Sequence, residues 1–150
     1  MSNGNFGKVK SLLKIAGLLN HSHLGSRNDT GASNCFGTTL YVLNVYDSER
    51  PRFVDSCDMD KMLWNCDEGK EELSVIGFFA PDGVIEHTGV YLGLKGGKDR
   101  MFHQPDVGHN FEEISVRDYV EDNKDLNPPV FYKLGGEFGG YGGIGDILSQ

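Results

Sequence analysis

Residues 86–104 read EHTGVYLGLKGGKDRMFHQ, and this stretch decides the predicted fold. Its first nine residues alternate between two kinds of side chain, as they do in a strand whose two faces meet different surroundings. One face would carry Thr88, Val90, Leu92 and Leu94, and the other His87, Gly89, Tyr91 and Gly93. The glycine-containing KGGKD (95–99) is typical of a hairpin loop, and RMFHQ (100–104) would return as the neighbouring strand. The stretch therefore predicts an antiparallel β-hairpin.

Helices are predicted before this hairpin, and further strands around it. A first helix should end near Asn20, because apolar residues recur at helical spacing before it, namely Val9, Leu12, Leu13, Ala16 and Leu19. The other predicted elements are a helix at 35–46, a short helix around 59–66, strands at 74–81 and 128–134, and a helical turn at 116–120. Helices first and strands afterwards predict an α+β fold, with the N-terminal helices packed on a central antiparallel sheet.

The composition indicates one folded domain over residues 1–150, which ends in a glycine-rich tail at 135–150. Apolar residues make up 38% of the chain, which is enough for a buried core. The net charge of −8 disfavours nucleic acid as a partner, since binding to phosphates needs a basic surface. The sequence contains no run of 18 apolar residues, so no membrane span is predicted. The N-terminus lacks a convincing signal-peptide cleavage site. We therefore expect the protein in the cytoplasm, or exported by a non-classical route.

Residues 33–46 read SNCFGTTLYVLNVY and place a cysteine where an apolar segment begins. Ser33 or Asn34 is a suitable N-cap, so Cys35 is predicted in the first turn of a helix. The positive end of the helix dipole favours a thiolate at this position. Backbone N–H groups at the same helix start would point toward the oxygen of an attacked carbonyl. One helix start can thus supply both a nucleophile and an oxyanion donor.

Two histidines follow Cys35 in the predicted hairpin, at positions 87 and 103. An imidazole next to a thiol acts as its base, and a second polar group fixes the orientation of that imidazole. Opposed residues of an antiparallel pair have a constant sum of residue numbers, and they share a face. His87 and His103 share a face only if this sum is even, whereas an odd sum would bring Gln104 beside His87. We predict His103 as the orienting residue and keep Gln104 as the alternative, because the sequence does not fix the register.

Other roles for these residues stay open on the sequence alone. The three cysteines are an odd number, so Cys57 and Cys66 could pair in an oxidising compartment and leave Cys35 free, or all three could be reduced. Cys35, His87 and His103 are also ligand types that zinc accepts, although no Cys-x-x-Cys or His-x-x-x-His pair supports a zinc site. Neither a metal nor another cofactor is predicted.

NCFG (34–37), EHTGVYLGL (86–94) and MFHQ (101–104) together resemble the NlpC/P60 cysteine peptidases. In that family Asp-Cys-Ser-Gly opens a helix and His-x-Gly-[Ile/Val]-Tyr-[Ile/Leu]-Gly forms a strand. A polar residue, usually His, follows on the next strand after a short hairpin. HTGVYLG, within the second motif, is the most specific match. The resemblance covers about residues 30–105, half of the chain.

The resemblance implies a papain-like α+β core in which Cys35 is the nucleophile, His87 the general base and His103 the residue that orients His87. It implies a cysteine peptidase or amidase that hydrolyses an amide bond in a small peptide, such as the stem peptide of bacterial peptidoglycan. Asn34 and Phe36 stand where the family has Asp and Ser. The implied partners are a peptide or peptidoglycan fragment, with a cognate inhibitor or a delivery machinery as further candidates.

Two further hypotheses use the same residues differently. An acyl or amide transferase would employ the same Cys-His-His triad with an amine in place of water. A catalytically degenerate member would instead serve as a binding or structural module, for instance in a phage particle or as a toxin component.

Overall fold

The computed structural model describes residues 3–20 and 32–134, with side chains from residue 6 onward. Within these residues the chain forms four helices and six strands. In chain order they are α1 (Asn3–Asn20), α2 (Cys35–Val42), α3 (Ser56–Trp64), β1 (Asp67–Glu68), β2 (Val75–Phe79), β3 (Ile85–Lys95), β4 (Lys98–His103), β5 (Glu112–Ser115), α4 (Val116–Asp122) and β6 (Val130–Lys133). The predicted glycine-rich tail at 135–150 lies outside the described residues.

The strands form a single antiparallel sheet in the order β1-β6-β2-β3-β4-β5. The predicted α+β class with an antiparallel sheet is therefore confirmed. β3 and β4 are the predicted hairpin, and β2 and β6 correspond to the other two predicted strands. β1 and β5 were not predicted, because they are only two and four residues long and their sequences, DE and EEIS, carry no clear apolar alternation.

Helices cover both faces of the sheet. The larger apolar cluster joins α1, α2 and α3 to one face, where Leu40 and Met59 are fully buried with Val90 of β3. The smaller cluster joins α4 to the opposite face and contains Tyr91 of β3. Val90 and Tyr91 belong to different clusters because successive side chains of a strand point to opposite faces. The N-terminal helices thus pack on the sheet as predicted.

α1 buries a different face from the one that its apolar pattern suggested. The residues that enter the core are Ser11, Ile15 and Leu18, while Phe6, Val9, Leu12, Leu13 and Leu19 are exposed. Lys14 contributes to this orientation, since its ammonium donates a hydrogen bond to the Tyr41 carbonyl at 3.0 Å and lies over the Tyr41 ring. That contact turns Lys14 toward α2 and leaves the predicted apolar stripe on the outer side of the helix.

α2 ends four residues earlier than its apolar pattern suggested. Asn44 adopts a left-handed conformation with φ of 63°. Its N–H donates to the Tyr41 carbonyl, and the N–H of Val45 donates to the Leu40 carbonyl at 3.0 Å. These two bonds form a Schellman motif, in which asparagine is one of the few residues that tolerate the left-handed position. Val45 and Leu40 then pack together in the core, so the apolar spacing continues although the helix does not.

The start of α2 is held against residues 51–54 by Asn34. The Asn34 side-chain oxygen accepts from the N–H groups of Gly37 and Val54, each at 3.0 Å, and its side-chain nitrogen donates to the Val54 carbonyl at 2.7 Å. Of the two predicted N-cap candidates, Ser33 and Asn34, it is Asn34 that caps α2, and its side chain also binds the neighbouring segment as both donor and acceptor. Gly37 lies so close to the Arg52 carbonyl that a β-carbon would collide with it.

Within residues 3–20 and 32–134, none of the helices combines the length and the apolar character that crossing a bilayer requires.

Replacing Asn34 with Asp should destabilise the fold, although aspartate is a good N-cap elsewhere. The Val54 carbonyl would lose its donor and face a carboxylate oxygen instead, a loss of about 2 kcal/mol in the free energy of unfolding. Urea unfolding measures this change. Asn65→Asp is the matched control, because Asn65 makes its side-chain hydrogen bond at the exposed end of α3. Equal losses in the two variants would contradict the role assigned to the buried Asn34 side chain.

Candidate active site

Three side chains form a hydrogen-bonded row across β3, β4 and β5. His87 Nε2 lies 2.7 Å from His103 Nδ1, and His103 Nε2 lies 2.8 Å from Glu112 Oε1. His103 and Glu112 are directly opposed in the β4–β5 pairing, so they share a face of the sheet. Both histidines are almost fully buried, at 4% and 2% exposure, whereas the Glu112 side chain is 48% exposed. The row thus runs from a buried ring to the surface.

The register of the hairpin brings His103, not Gln104, beside His87. Val90 is opposed to Phe102 in the β3–β4 pairing, which gives the even sum that places both histidines on one face. Gln104 points to the other face and accepts hydrogen bonds from the Ser33 and Thr38 hydroxyls at 2.8 and 2.7 Å. Gln104 therefore anchors the start of α2 to the sheet and does not contact His87.

The hydrogen-bond row assigns the protons on both rings. A carboxylate can only accept, so His103 must donate from Nε2 to Glu112. A neutral His103 then carries a lone pair on Nδ1, and His87 must donate to it from Nε2. Nδ1 of His87 is consequently the unprotonated nitrogen. Among the described residues it has no hydrogen-bond partner, and it is not sealed from solvent.

Aromatic side chains hold the His87 ring in place. Tyr119 of α4 stacks on it, with ring centroids 4.8 Å apart and planes 17° apart, and Phe78 of β2 lies 5.9 Å away. Tyr119 also meets the edge of His103. Gly89 allows β4 to pass close by, because a β-carbon there would lie 2.9 Å from Met101 Sδ and 3.1 Å from the Phe102 carbonyl oxygen. These contacts fix both rings without using a hydrogen bond.

Cys35 lies in the first turn of α2, where the sequence predicted it, and packs with α2 on the face of β3 that carries Thr88, whereas the His87 ring lies on the opposite face, against Tyr119 of α4. Thr88, the residue after His87, donates from its hydroxyl to the Cys35 carbonyl at 3.4 Å. The backbone N–H groups of Thr88, Phe36 and Cys35 itself point at the sulfur and lower the pKa of its thiol. The thiol is half-buried. The hydrogen bonds of the described residues include none between the Cys35 sulfur and His87.

Burial opposes ionisation of all three predicted site residues. It raises the pKa of the Cys35 thiol to about 11, against the lowering by the three N–H groups. Burial, together with the neighbouring His103, lowers the pKa of His87 to about 3. The pKa of His103 is also lowered by burial, against an opposing effect of Glu112. The predicted site residues therefore rest as a neutral thiol and neutral imidazoles, and Cys35 is not the preformed thiolate that the helix dipole alone suggested.

A cavity of about 320 Å³ opens beside His87, between the β2–β3 turn and the end of α4. Tyr119 forms part of its wall, and the charged groups that line it are the carboxylates of Glu86 and Asp125. Cys35 does not line this cavity. A larger cavity of about 550 Å³ lies near the β3–β4 turn and contains none of the predicted site residues.

Metal ligation and disulfide formation find no support in the described residues. Within 3–20 and 32–134 no group of three His, Cys, Asp or Glu side chains is arranged to hold a metal ion. Cys35, Cys57 and Cys66 are all free thiols. The pairing of Cys57 with Cys66 that the odd cysteine count left open is not formed.

The chain matches no protein-family model, no curated protein and no solved structure. The resemblance to NlpC/P60 peptidases therefore rests on the sequence motifs, and the catalytic roles inferred from it stay predictions.

Sequence reasoning missed Glu112 and Tyr119. Glu112 comes from β5, and finding it would have required the β4–β5 register, which no tight turn defines because eight residues separate the strands. Tyr119 lies in the predicted helical turn, but nothing in the pattern indicated that this turn would pack over His87. A constant-sum argument that pairs FEEIS with RMFHQ was the one available signal for Glu112.

The buried neutral state of His87 should make stability depend on pH. The pKa of His87 is about 3 in the folded protein, against 6.5 for an exposed imidazole. At a pH between these two values His87 is protonated in the unfolded chain but not in the folded protein. The stabilisation is complete above pH 6.5 and decreases as the pH falls, by about 3 kcal/mol between pH 7 and pH 4. His87→Gln should show a shallower fall than wild type in urea unfolding across this range. His109→Gln, at an exposed histidine, should keep the wild-type slope; a wild-type slope in His87→Gln would contradict the assignment.

Proposed function

We propose that the protein is a thiol hydrolase of the NlpC/P60 type, with a papain-like core in which Cys35 attacks an amide carbonyl. The observation that carries the proposal is the row from Glu112 through His103 to His87. It leaves the free lone pair of His87 on Nδ1, the nitrogen that has no hydrogen-bond partner among the described residues. A general base for a thiol needs a buried imidazole with a fixed tautomer, and the residue that follows His87 in β3 contacts the helix start that carries Cys35.

The proposed reaction begins from the neutral pair. His87 Nδ1 takes the proton from the Cys35 sulfur as the sulfur bonds to the carbonyl carbon, so the buried thiol need not ionise beforehand. The proton then passes to the leaving nitrogen as the carbon–nitrogen bond breaks, which leaves a thioester on Cys35. Water then attacks the thioester carbon while His87 Nδ1 takes its proton. The carbon–sulfur bond breaks, the proton passes from His87 to the sulfur, and the carboxylic acid product is released. His103 and Glu112 stabilise the positive charge that His87 carries in between.

The packing of α2 supports a role for its first turn in binding the carbonyl oxygen. The N–H groups of Cys35 and Phe36 have no carbonyl partner among the described residues and lie at the positive end of the helix dipole. These N–H groups point at the sulfur in the free protein, so a developing oxyanion next to the sulfur would have donors nearby. The antiparallel sheet behind α2 is compatible with a papain-like core.

The substrate class that the motifs imply is a small peptide, in particular a stem peptide of bacterial peptidoglycan. Transfer of the same acyl group to an amine would use identical residues, with the amine in place of water in the second step. Mass spectrometry of the products separates the two outcomes, since transfer adds the mass of the acceptor amine and hydrolysis adds that of water.

Cys35→Ala should abolish the cleavage of purified muropeptides, by a factor on the order of 10⁴ or more, because no other group would form the thioester. Liquid chromatography with mass detection measures the products. Cys57→Ala is the matched control, since Cys57 is an exposed cysteine of α3 and its loss should leave turnover unchanged. Wild-type cleavage by folded Cys35→Ala would refute the role of Cys35.

One observation favours a second candidate, a catalytically degenerate module that binds a partner without cleaving it. The pKa of Cys35 is raised to about 11, above that of a free cysteine. Alkylation by iodoacetamide across pH distinguishes the two candidates when it is compared with His87→Gln. If His87 acts as a base, wild-type Cys35 reacts faster than Cys35 in the variant at pH 7; equal rates would favour the inert module.

Glu112→Gln should lower kcat by roughly tenfold and leave KM nearly unchanged, because the charge that stabilises protonated His87 through His103 would be lost. The effect should be moderate, since Glu112 is half exposed and screened by water. Glu113→Gln is the matched control: it removes the same charge one residue away, where the carboxylate pairs with Lys95 and Arg100. An equal loss of kcat in both variants would contradict the positioning role of Glu112.

A further inference from the structure

A third cavity, of about 340 Å³, lies where the end of α3 meets the edge of the sheet at β1 and β6. Its wall contains three aromatic side chains, Trp64 of α3, Phe79 of β2 and Tyr132 of β6. Trp64 is 84% exposed, which is unusual for the largest apolar side chain. Phe79 and Tyr132 meet edge to face, with ring centroids 6.4 Å apart. None of the residues of the His87 row lines this cavity.

Two carboxylates complete the wall, those of Asp60 and Glu68. Neither forms an ion pair or a hydrogen bond through its side chain with another described residue. The pKa of Tyr132 is raised, first by burial and then by Glu68 and Asp60, which places both negative charges around its ring. Of the described residues that line the cavity, none is lysine or arginine. Lys133 is opposed to Asp67 in the β1–β6 pairing and lies on the other face of the strand.

Aromatic faces and unpaired carboxylates attract the same kind of group. The face of an aromatic ring is negative, so a cation above it is stabilised, most strongly by tryptophan. A carboxylate without a counter-ion also attracts a cation, and it does so over a longer distance. A neutral ligand without hydrogen-bond donors would gain from the rings but not from the carboxylates, and an anion would be repelled by Asp60 and Glu68. The wall therefore selects for positive charge combined with apolar surface.

We propose that this cavity binds an organic cation, an alkylammonium or guanidinium group such as the side chain of a basic peptide. The cation would lie against Trp64 and Tyr132, with Asp60 and Glu68 at its rim. This site is separate from the candidate active site and does not depend on the proposed hydrolysis. A sugar also stacks on exposed tryptophan and its hydroxyls can donate to carboxylates, but it would leave the two negative charges uncompensated.

The chain contains a single tryptophan, so its fluorescence reports on this cavity directly. We expect choline chloride to change the Trp64 emission in a saturable way, with sodium chloride at equal ionic strength giving no such change. The neutral isostere 3,3-dimethyl-1-butanol should bind at least about fivefold more weakly, since it keeps the shape and lacks the charge. Equal responses to choline and to the alcohol would overturn the proposal, and so would a saturable response to N-acetylglucosamine but none to choline.

Variants of the carboxylates test whether the response arises in the cavity. Asp60→Asn with Glu68→Gln should weaken choline binding by roughly fivefold or more, whereas Asp58→Asn should leave it unchanged. Asp58 is the matched control because it lies on the same helix and does not line the cavity. The thermal unfolding of each variant shows whether it is folded. An undiminished choline response in the folded double variant would place the cation elsewhere and refute the site.

Discussion

The candidate site depends on the register between β3 and β4. Both faces of β4 are buried, and both Met101 and Phe102 are apolar, so burial of apolar surface alone would tolerate a slip by one residue. Polar side chains discriminate between the two registers. His103 has partners on one face, and Gln104 has two hydroxyl donors and a carbonyl acceptor on the other. A slip would bury these groups without partners, which is costly.

Two opposing forces act on Cys35, and their balance distinguishes an enzyme from an inert fold. The helix start and the nearby N–H groups favour the thiolate, whereas burial favours the thiol and has the larger effect. A mechanism in which His87 removes the proton during attack needs no stable thiolate, and the row that ends at Glu112 supports such a base.

The sequence was sufficient for the parts of the fold that strong local patterns define. The alternation of residues 86–94 and the glycines that follow predict the central hairpin, and Asn34 predicts the start of α2. The end of α2 was missed because its apolar spacing continues through the Schellman motif. Asn44 was the residue that could have indicated a helix C-terminus, since asparagine tolerates the left-handed conformation. The face that α1 buries and the position of Glu112 next to His103 depend on contacts between segments that are distant in the sequence. Such contacts have no local signature, which is why propensity and spacing could not reveal them.

α2 is fastened at both ends by an asparagine. Asn34 clamps its first turn to Val54, while Asn44 donates to the Gly7 carbonyl and the Ser11 hydroxyl of α1 beyond its last turn. Because of these contacts, the eight-residue helix can neither slide along the sheet nor tilt away from it without breaking several hydrogen bonds. The position of the Cys35 sulfur relative to β3 is therefore fixed by the fold. Any opening that admits a ligand to Cys35 has to come from the chain around the helix, with α2 as the fixed wall.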